Sequence, residues 1–262
     1  MSYFIDTHAH LYLPVFDHDR DKIIENALTC RIKNIFLPNI DSSSISLMKK
    51  LAVKYPRVCY PMMGLHPTSV KDNYADEIFK IEQELEGHQF IAIGEIGIDL
   101  YWDKKHLKEQ CIVFARQIDL ARKYRLPVII HARESYNEIL DILSGYSSNE
   151  LTGIFHAFTG TIDIAYKVID LNFKLGIGGI LTYRNSSLKD VVREIDLKNI
   201  VLETDSPYLA PVPMRGKRNE SSYLVHIAEA VKEIKNVSIE EVAHVTTQNA
   251  ISLFHPENYE GL

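Results

Sequence analysis

The chain has 262 residues, 46% of them hydrophobic, and a formal net charge of −6. That length allows one large domain or two small ones and a sizeable core, and the scarcity of Gly and Pro argues against disorder. The negative balance excludes non-specific binding of nucleic acid through a broad basic surface, but it leaves room for a local basic groove.

The N-terminus shows no basic-then-apolar leader, so no signal peptide is expected. No apolar run is long enough to cross a bilayer. Cys30, Cys59 and Cys111 are odd in number and lack CxxC spacing, so they read as reduced core residues. Together these features point to a cytoplasmic protein with no membrane contact and no obligate protein partner. Short apolar runs rich in Ile, Val, Phe and Leu occur near 3–6, 33–38, 58–63, 90–94, 127–131, 153–156, 173–177 and 199–203. Such runs suit strands buried on both faces. Between them, stretches of helical period cover about 18–31, 43–55, 74–86, 106–124, 135–144, 161–171, 187–195 and 221–235. In the fourth of these, Phe114, Ile118 and Ala121 drift along one helix face. Eight strands, each followed by a helix, predict an α/β chain folded as a (β/α)8 TIM barrel, one domain over 1–262. A doubly wound open sheet is the alternative, because periodicity does not show closure. A last helix over 239–253 is expected to pack outside the repeat.

Ligand-type residues recur at one point of this map. The first strand ends in His8 and His10, which share a face by the period of two. The fourth runs into Gly94-Glu95, the fifth ends at His131, the sixth at His156 and the eighth at Asp205. In a barrel the C-terminal strand ends form one rim, where active sites sit. Four histidines and two carboxylates thus meet, and burying such groups is costly without strong partners. One zinc-like ion needs about three protein ligands. Six ligands suit two ions with a bridging carboxylate, roughly 3.5–4 Å apart. Imidazole and carboxylate suit Zn, Mn, Fe, Co or Ni, with Mg a less comfortable fit.

The same residues carry a family likeness. Asp6-Thr7-His8-Ala9-His10, Gly64-Leu65-His66-Pro67, Gly94-Glu95-Ile96-Gly97-Ile98-Asp99, His131-Ala132-Arg133, His156-Ala157-Phe158-Thr159-Gly160, Leu202-Glu203-Thr204-Asp205-Ser206-Pro207-Tyr208-Leu209-Ala210-Pro211 and Arg215-Gly216-Lys217-Arg218-Asn219-Glu220 stand in this order. The chain resembles the TatD-type metal-dependent hydrolases, deoxyribonuclease-related TIM barrels, from Asp6 to Phe254. Glu220-Ser221-Ser222-Tyr223 departs from the family's usual Glu-Pro-Ala-Tyr, outside the ligand motifs. The resemblance implies hydrolysis of DNA phosphodiesters, often as a 3′-to-5′ exonuclease, and carries the metal positions onto His8, His10, Glu95, His131, His156 and Asp205. Members of the family are also linked to removing D-amino acids from tRNA, so a metal-dependent esterase acting on D-aminoacyl-tRNA is an alternative. A non-catalytic nucleic-acid-binding barrel is another, which the intact ligand set opposes.

Hydrolysis through a metal-bound hydroxide needs a proton acceptor, and Asp205 is the candidate; Glu95 is the candidate bridge. No Lys lies between Ile91 and Asp99, which leans away from related barrels that place a carboxylated lysine at that strand. The expected partner is single-stranded DNA or another phosphodiester. Candidate substrate contacts are His66 on a phosphate, Arg133 as a phosphate clamp, Trp102 as a base-stacking platform, and Arg184 with the 215–218 stretch as local basic loops. Glu203 shares a face with Asp205 and either touches substrate or holds a ligand in place. The plain alternatives are a structural loop histidine for His66, a salt bridge to Glu134 or Glu138 for Arg133, and inward packing for Trp102. For the 215–218 stretch the alternative is a solvated surface, and Asp6 reads as structural.

Overall fold

The apolar runs form parallel strands in the computed structural model, which describes residues 2–87, 89–102, 104–147 and 150–261. The strands are β1 (Phe4–Asp6), β2 (Ile32–Pro38), β3 (Cys59–Met62), β4 (Ile93–Asp99), β5 (Val128–Arg133), β6 (Gly153–His156), β7 (Phe173–Ile177) and β8 (Ile200–Leu202). The helices are α1 (Arg20–Thr29), α2 (Ile45–Lys54), α3 (Tyr74–Gly87), α4 (Leu107–Tyr124), α5 (Tyr136–Leu143), α6 (Ile162–Asp170), α7 (Leu188–Glu194), α8 (Leu224–Lys235) and α9 (Ile239–Phe254). Continuous parallel pairing joins β1–β2–β3 and β4 through β8 in sequence order. Two narrower joints close these sheets into a ring. Between β3 and β4, Met63 bridges Ile93, and the Gly94 N–H donates to the Met63 carbonyl at 3.0 Å. Between β8 and β1, the Thr7 N–H donates to the Leu202 carbonyl at 3.1 Å, and the Asp205 N–H to that of His8 at 2.9 Å. An open doubly wound sheet would leave two free edges, so the closed barrel replaces that alternative.

Apolar residues sit on both sides of this ring. The larger cluster fills the layer between strands and helices, with Phe114 and Ile118 of α4 fully buried. A smaller cluster fills the barrel interior: Ile5, Phe36, Met62, Ile129, Ile154 and Val201, joined by Ala250 and Phe254 of α9. The last helix therefore plugs the N-terminal mouth. It is anchored there by Thr247 Oγ1 on the Tyr3 carbonyl and by Asn249 Nδ2 on the Leu197 and Ile200 carbonyls. With that end sealed, the polar residues open at the other.

Two boundaries differ from the sequence reading. The fourth strand begins at Ile93 and runs through Asp99, so Glu95 lies inside it, at an irregular step in its pairing with β5. Two glycines within Gly94–Asp99 hide this strand from a pattern search. Gly97, at φ +141°, is needed because a Cβ there would lie 2.0 Å from the His131 carbonyl oxygen. The segment expected as one helix over 221–235 splits into a 3-10 turn, Ser221–Tyr223, and α8.

Candidate metal centre

Glu95 is the hub of the open end. Its side chain is 2% exposed, and its two oxygens face different partners. Oε2 lies 3.1 Å from His8 Nε2 and 3.5 Å from His10 Nε2. Oε1 lies 2.9 Å from His131 Nδ1, 3.3 Å from His66 Nε2 and 3.4 Å from His156 Nε2. Asp205, three residues beyond β8, turns in with φ +57° and places Oδ1 3.7 Å from His8 Nε2 and 3.6 Å from His10 Nε2. Three overlapping triplets have ligand atoms within 4.8 Å of one another: His8, His156 and Asp205; His8, His10 and Glu95; His66, Glu95 and His131. The His8 and His10 Nε2 atoms are 3.2 Å apart. Nitrogen lone pairs and a carboxylate at such spacing repel unless a proton or a cation lies among them. The donor set, imidazole and carboxylate without thiolate, fits a divalent metal.

Three of the rings have a polar group behind them, whereas His8 Nδ1 is buried with no hydrogen-bond partner among the described residues. The Tyr12 hydroxyl donates to the Pro38 carbonyl at 2.6 Å, so its oxygen accepts from His10 Nδ1 at 2.9 Å. That leaves the His10 Nε2 lone pair facing Glu95. Asp99 Oδ2 lies 2.9 Å from His131 Nε2, which turns Nδ1 toward Glu95. Glu203 Oε1 lies 2.9 Å from His156 Nδ1 and accepts the Ala157 N–H. His66 differs. Its Nδ1 accepts the Thr68 N–H at 3.1 Å, so Nε2 carries the proton and offers a donor rather than a lone pair. Tyr12 and Asp99 carried no role in the sequence reading. The signal was there in principle: Tyr12 continues the alternation of His8 and His10, and Asp99 lies four residues beyond Glu95 on the same strand face.

The charges follow from this packing. Burial pushes Glu95 up, but His66, His8, His156 and the His131 hydrogen bond hold it well below the usual carboxylate range. Burial likewise opposes ionisation of Asp205, and the His10 hydrogen bond with the charges of His156 and His8 outweighs it. Burial and the neighbouring His156 lower His8. Burial also disfavours the His156 imidazolium, yet Glu203 and Glu95 push its pKa up to about 10.

The six expected ligands converge on one cavity of about 830 Å³, with His8 behind its wall and His10, Glu95, His131, His156 and Asp205 lining it. His66, Trp102 and Arg133 also line it, as do Tyr208 and Leu209. Trp102 is 69% exposed, so it does not pack inward. Arg133 stacks over the rings of Tyr101 and Trp102, at 3.9 and 5.4 Å. Glu203, entered above as a possible substrate contact, is fully buried behind His156 and faces no open space. Arg184 lies exposed outside the cavity wall, because Tyr183 before it is tied to the Ala210 carbonyl and the chain turns outward. Asp6 joins β1 to the strand-8 segment by accepting from the Thr204 N–H and O–H at 2.9 and 2.6 Å.

The model of the family described as TatD related DNase matches residues 5–255. The chain belongs to this family. It is 38% identical over 251 residues to the uncharacterized metal-dependent hydrolase YabD of Bacillus subtilis, covering 95% of this chain and 98% of that protein. It is 33% identical over 257 residues to the uncharacterized metal-dependent hydrolase YcfH of Escherichia coli, covering 97% and 96%. The crystal structure of the TatD homologue YjjV from E. coli superposes with a TM-score of 0.91 at 28% identity, over 96% of this chain and 98% of that one. The TatD-family chain is thus a metal-dependent hydrolase with a TIM-barrel fold. Among its described residues no helix is long and apolar enough to cross a membrane.

Proposed function

We propose that this TatD-family protein hydrolyses DNA phosphodiesters at a two-metal centre, acting on single strands as a 3′-to-5′ exonuclease. The observation that carries the reading is that Glu95 faces histidines with both oxygens, His8 and His10 at Oε2 and His131 and His156 at Oε1, while Asp205 lies beside His8, His10 and His156. Glu95, Asp205 and the histidines around them would hold a pair of divalent ions, and the imidazole-rich set favours Zn, Mn, Co or Ni over Mg. When bound, the ions supply Lewis acidity to a water and neutralise charge on the non-bridging phosphate oxygens. The protein's own groups do the rest. Asp205, held ionised, accepts a proton from the attacking water. The His66 Nε2–H donates to a non-bridging oxygen. The Arg133 guanidinium attracts the phosphate, and the exposed Trp102 ring stacks on the terminal base. The 3′-to-5′ direction rests on the family likeness.

The test is purified protein on 3′-labelled and 5′-labelled single-stranded DNA, with a panel of divalent ions, with chelator, and with Asp205→Asn. Metal-dependent loss of 3′ nucleotides, abolished by chelator and reduced at least a hundredfold in Asp205→Asn, is the expected result. Cleavage of a D-aminoacyl-tRNA ester with none of DNA overturns the reading in favour of an esterase. Binding of DNA without turnover of either substrate overturns it in favour of a non-catalytic barrel.

A further inference from the structure

A second arginine-on-aromatic pair stands on the rim, outside the metal cavity. The Arg215 guanidinium lies 4.5 Å from the Tyr183 ring centroid. Tyr183 is on the loop after β7 and Arg215 on the loop after β8. The two loops are joined into one rigid piece: the Tyr183 hydroxyl donates to the Ala210 carbonyl at 3.1 Å, and the Val212 N–H donates to Thr182 Oγ1 at 2.8 Å. Gly179 lets them approach, since a Cβ there would lie 1.9 Å from the Leu209 carbonyl oxygen. Ile180 and Leu209 of the same piece line the metal cavity, so Tyr183 and Arg215 continue its wall outward.

Charge and position both set this pair apart. Arg20, Arg116, Arg122, Arg193 and Arg218 are each paired with a carboxylate. Among the described residues Arg215, like Arg133, has an aromatic ring for a partner and no carboxylate within ion-pair distance. In a chain of net charge −6, two such guanidinium groups are local attractors for phosphate. Arg133 is the last residue of β5, and Trp102 lies on the loop after β4. Their counterparts on the loops after β8 and β7 lie three strand positions further round the eight-stranded ring, on a different part of the rim.

We propose that Tyr183 and Arg215 form a second nucleotide subsite, which holds the retained part of a single strand while the terminal nucleotide lies on the Trp102 side. The Tyr183 ring supplies a stacking face that tolerates any base, and Arg215 a phosphate contact. A duplex fits this chemistry poorly, because its bases are already stacked on one another. The inference rests on the proposed action on single-stranded nucleic acid.

Fluorescence anisotropy with labelled oligothymidylates, from dinucleotide to dodecanucleotide and in the presence of chelator, tests it without turnover. Wild-type affinity is expected to rise with length. Arg215→Ala and Tyr183→Leu are each expected to weaken the dodecanucleotide about tenfold, to flatten the length dependence, and, for Arg215→Ala, to lower the salt slope by roughly 0.7. Trp102→Ala is expected to weaken short and long strands alike. Wild-type dodecanucleotide affinity in both loop variants, with Trp102→Ala impaired, overturns the subsite and leaves the proposed function standing. Failure of the wild-type protein to bind any of the strands overturns the subsite, whose contacts need no metal, while the proposed function stands or falls on the turnover test above.

Discussion

Tyr12 shows how one buried hydroxyl decides the tautomer of a histidine in the site. Burial and the nearby Glu95 charge push its pKa well above the ordinary tyrosine value, so it remains a neutral phenol. Its single hydrogen goes to Pro38, and its oxygen therefore takes the Nδ1–H of His10. Phenylalanine fills the same space but leaves the His10 nitrogen free to take the other tautomer. Tyr12→Phe is expected to weaken metal binding about 10- to 100-fold, the range found for groups that orient a ligand. Calorimetric titration with Zn or Mn measures this, and an unchanged affinity would show that the tautomer is set by something else. Asp99 has a wider reach. One oxygen holds His131 Nε2, while the other accepts the N–H groups of Tyr101 and Trp102 at 3.0 Å. The histidine beside Glu95 and the aromatic rim loop therefore share one carboxylate.

Among the elements, β4 approaches β5 more closely at Gly97 than a side chain there would allow. Gly97 pairs with His131 in register, and its hydrogen occupies a space that no Cβ can enter. Gly97→Ala combines a disfavoured backbone angle with a clash against backbone, and is expected to destabilise the fold by roughly 3 kcal/mol or more. Urea unfolding monitored by circular dichroism reads this directly. A midpoint equal to wild type would mean that β4 can move off β5 at little expense. The α9 plug plays the complementary part. By filling the N-terminal mouth with Ala250 and Phe254, it leaves the C-terminal rim as the end where polar groups meet solvent.

For the whole molecule, metal binding, proton uptake and stability are linked. His156 is raised to about 10 by Glu203 and Glu95, so it carries a proton at neutral pH when no cation is bound. Without a cation, the stabilisation from this protonation is complete below the unfolded value near 6.5 and is lost as pH rises through about 10. A divalent ion held by His156 would need the lone pair, so its binding near neutrality would expel a proton and become easier as pH rises. Adding Zn or Mn to chelator-treated protein in weak buffer is expected to acidify the solution and to raise the Tm. At a thousand times Kd the gain is about 4 kcal/mol. Calorimetry in buffers of different ionisation enthalpy counts the protons, and a count of zero would mean that His156 does not serve as a ligand.

The alternation of eight strands and helices is legible from residues alone, because hydrophobic period is a local property of the chain. It also placed His8, His10, Glu95, His131, His156 and Asp205 on one rim, because strand ends of a parallel barrel share a direction. Tertiary structure alone decided closure, which rests on a few bonds around Met63 and Thr7 that leave no periodic trace. It alone turned Glu203 behind His156 and Arg184 away from the cavity, and brought Arg215 onto Tyr183. Those outcomes depend on where two loops distant in sequence touch. That is settled by packing and by hydrogen bonds between segments, which spacing along one chain cannot encode.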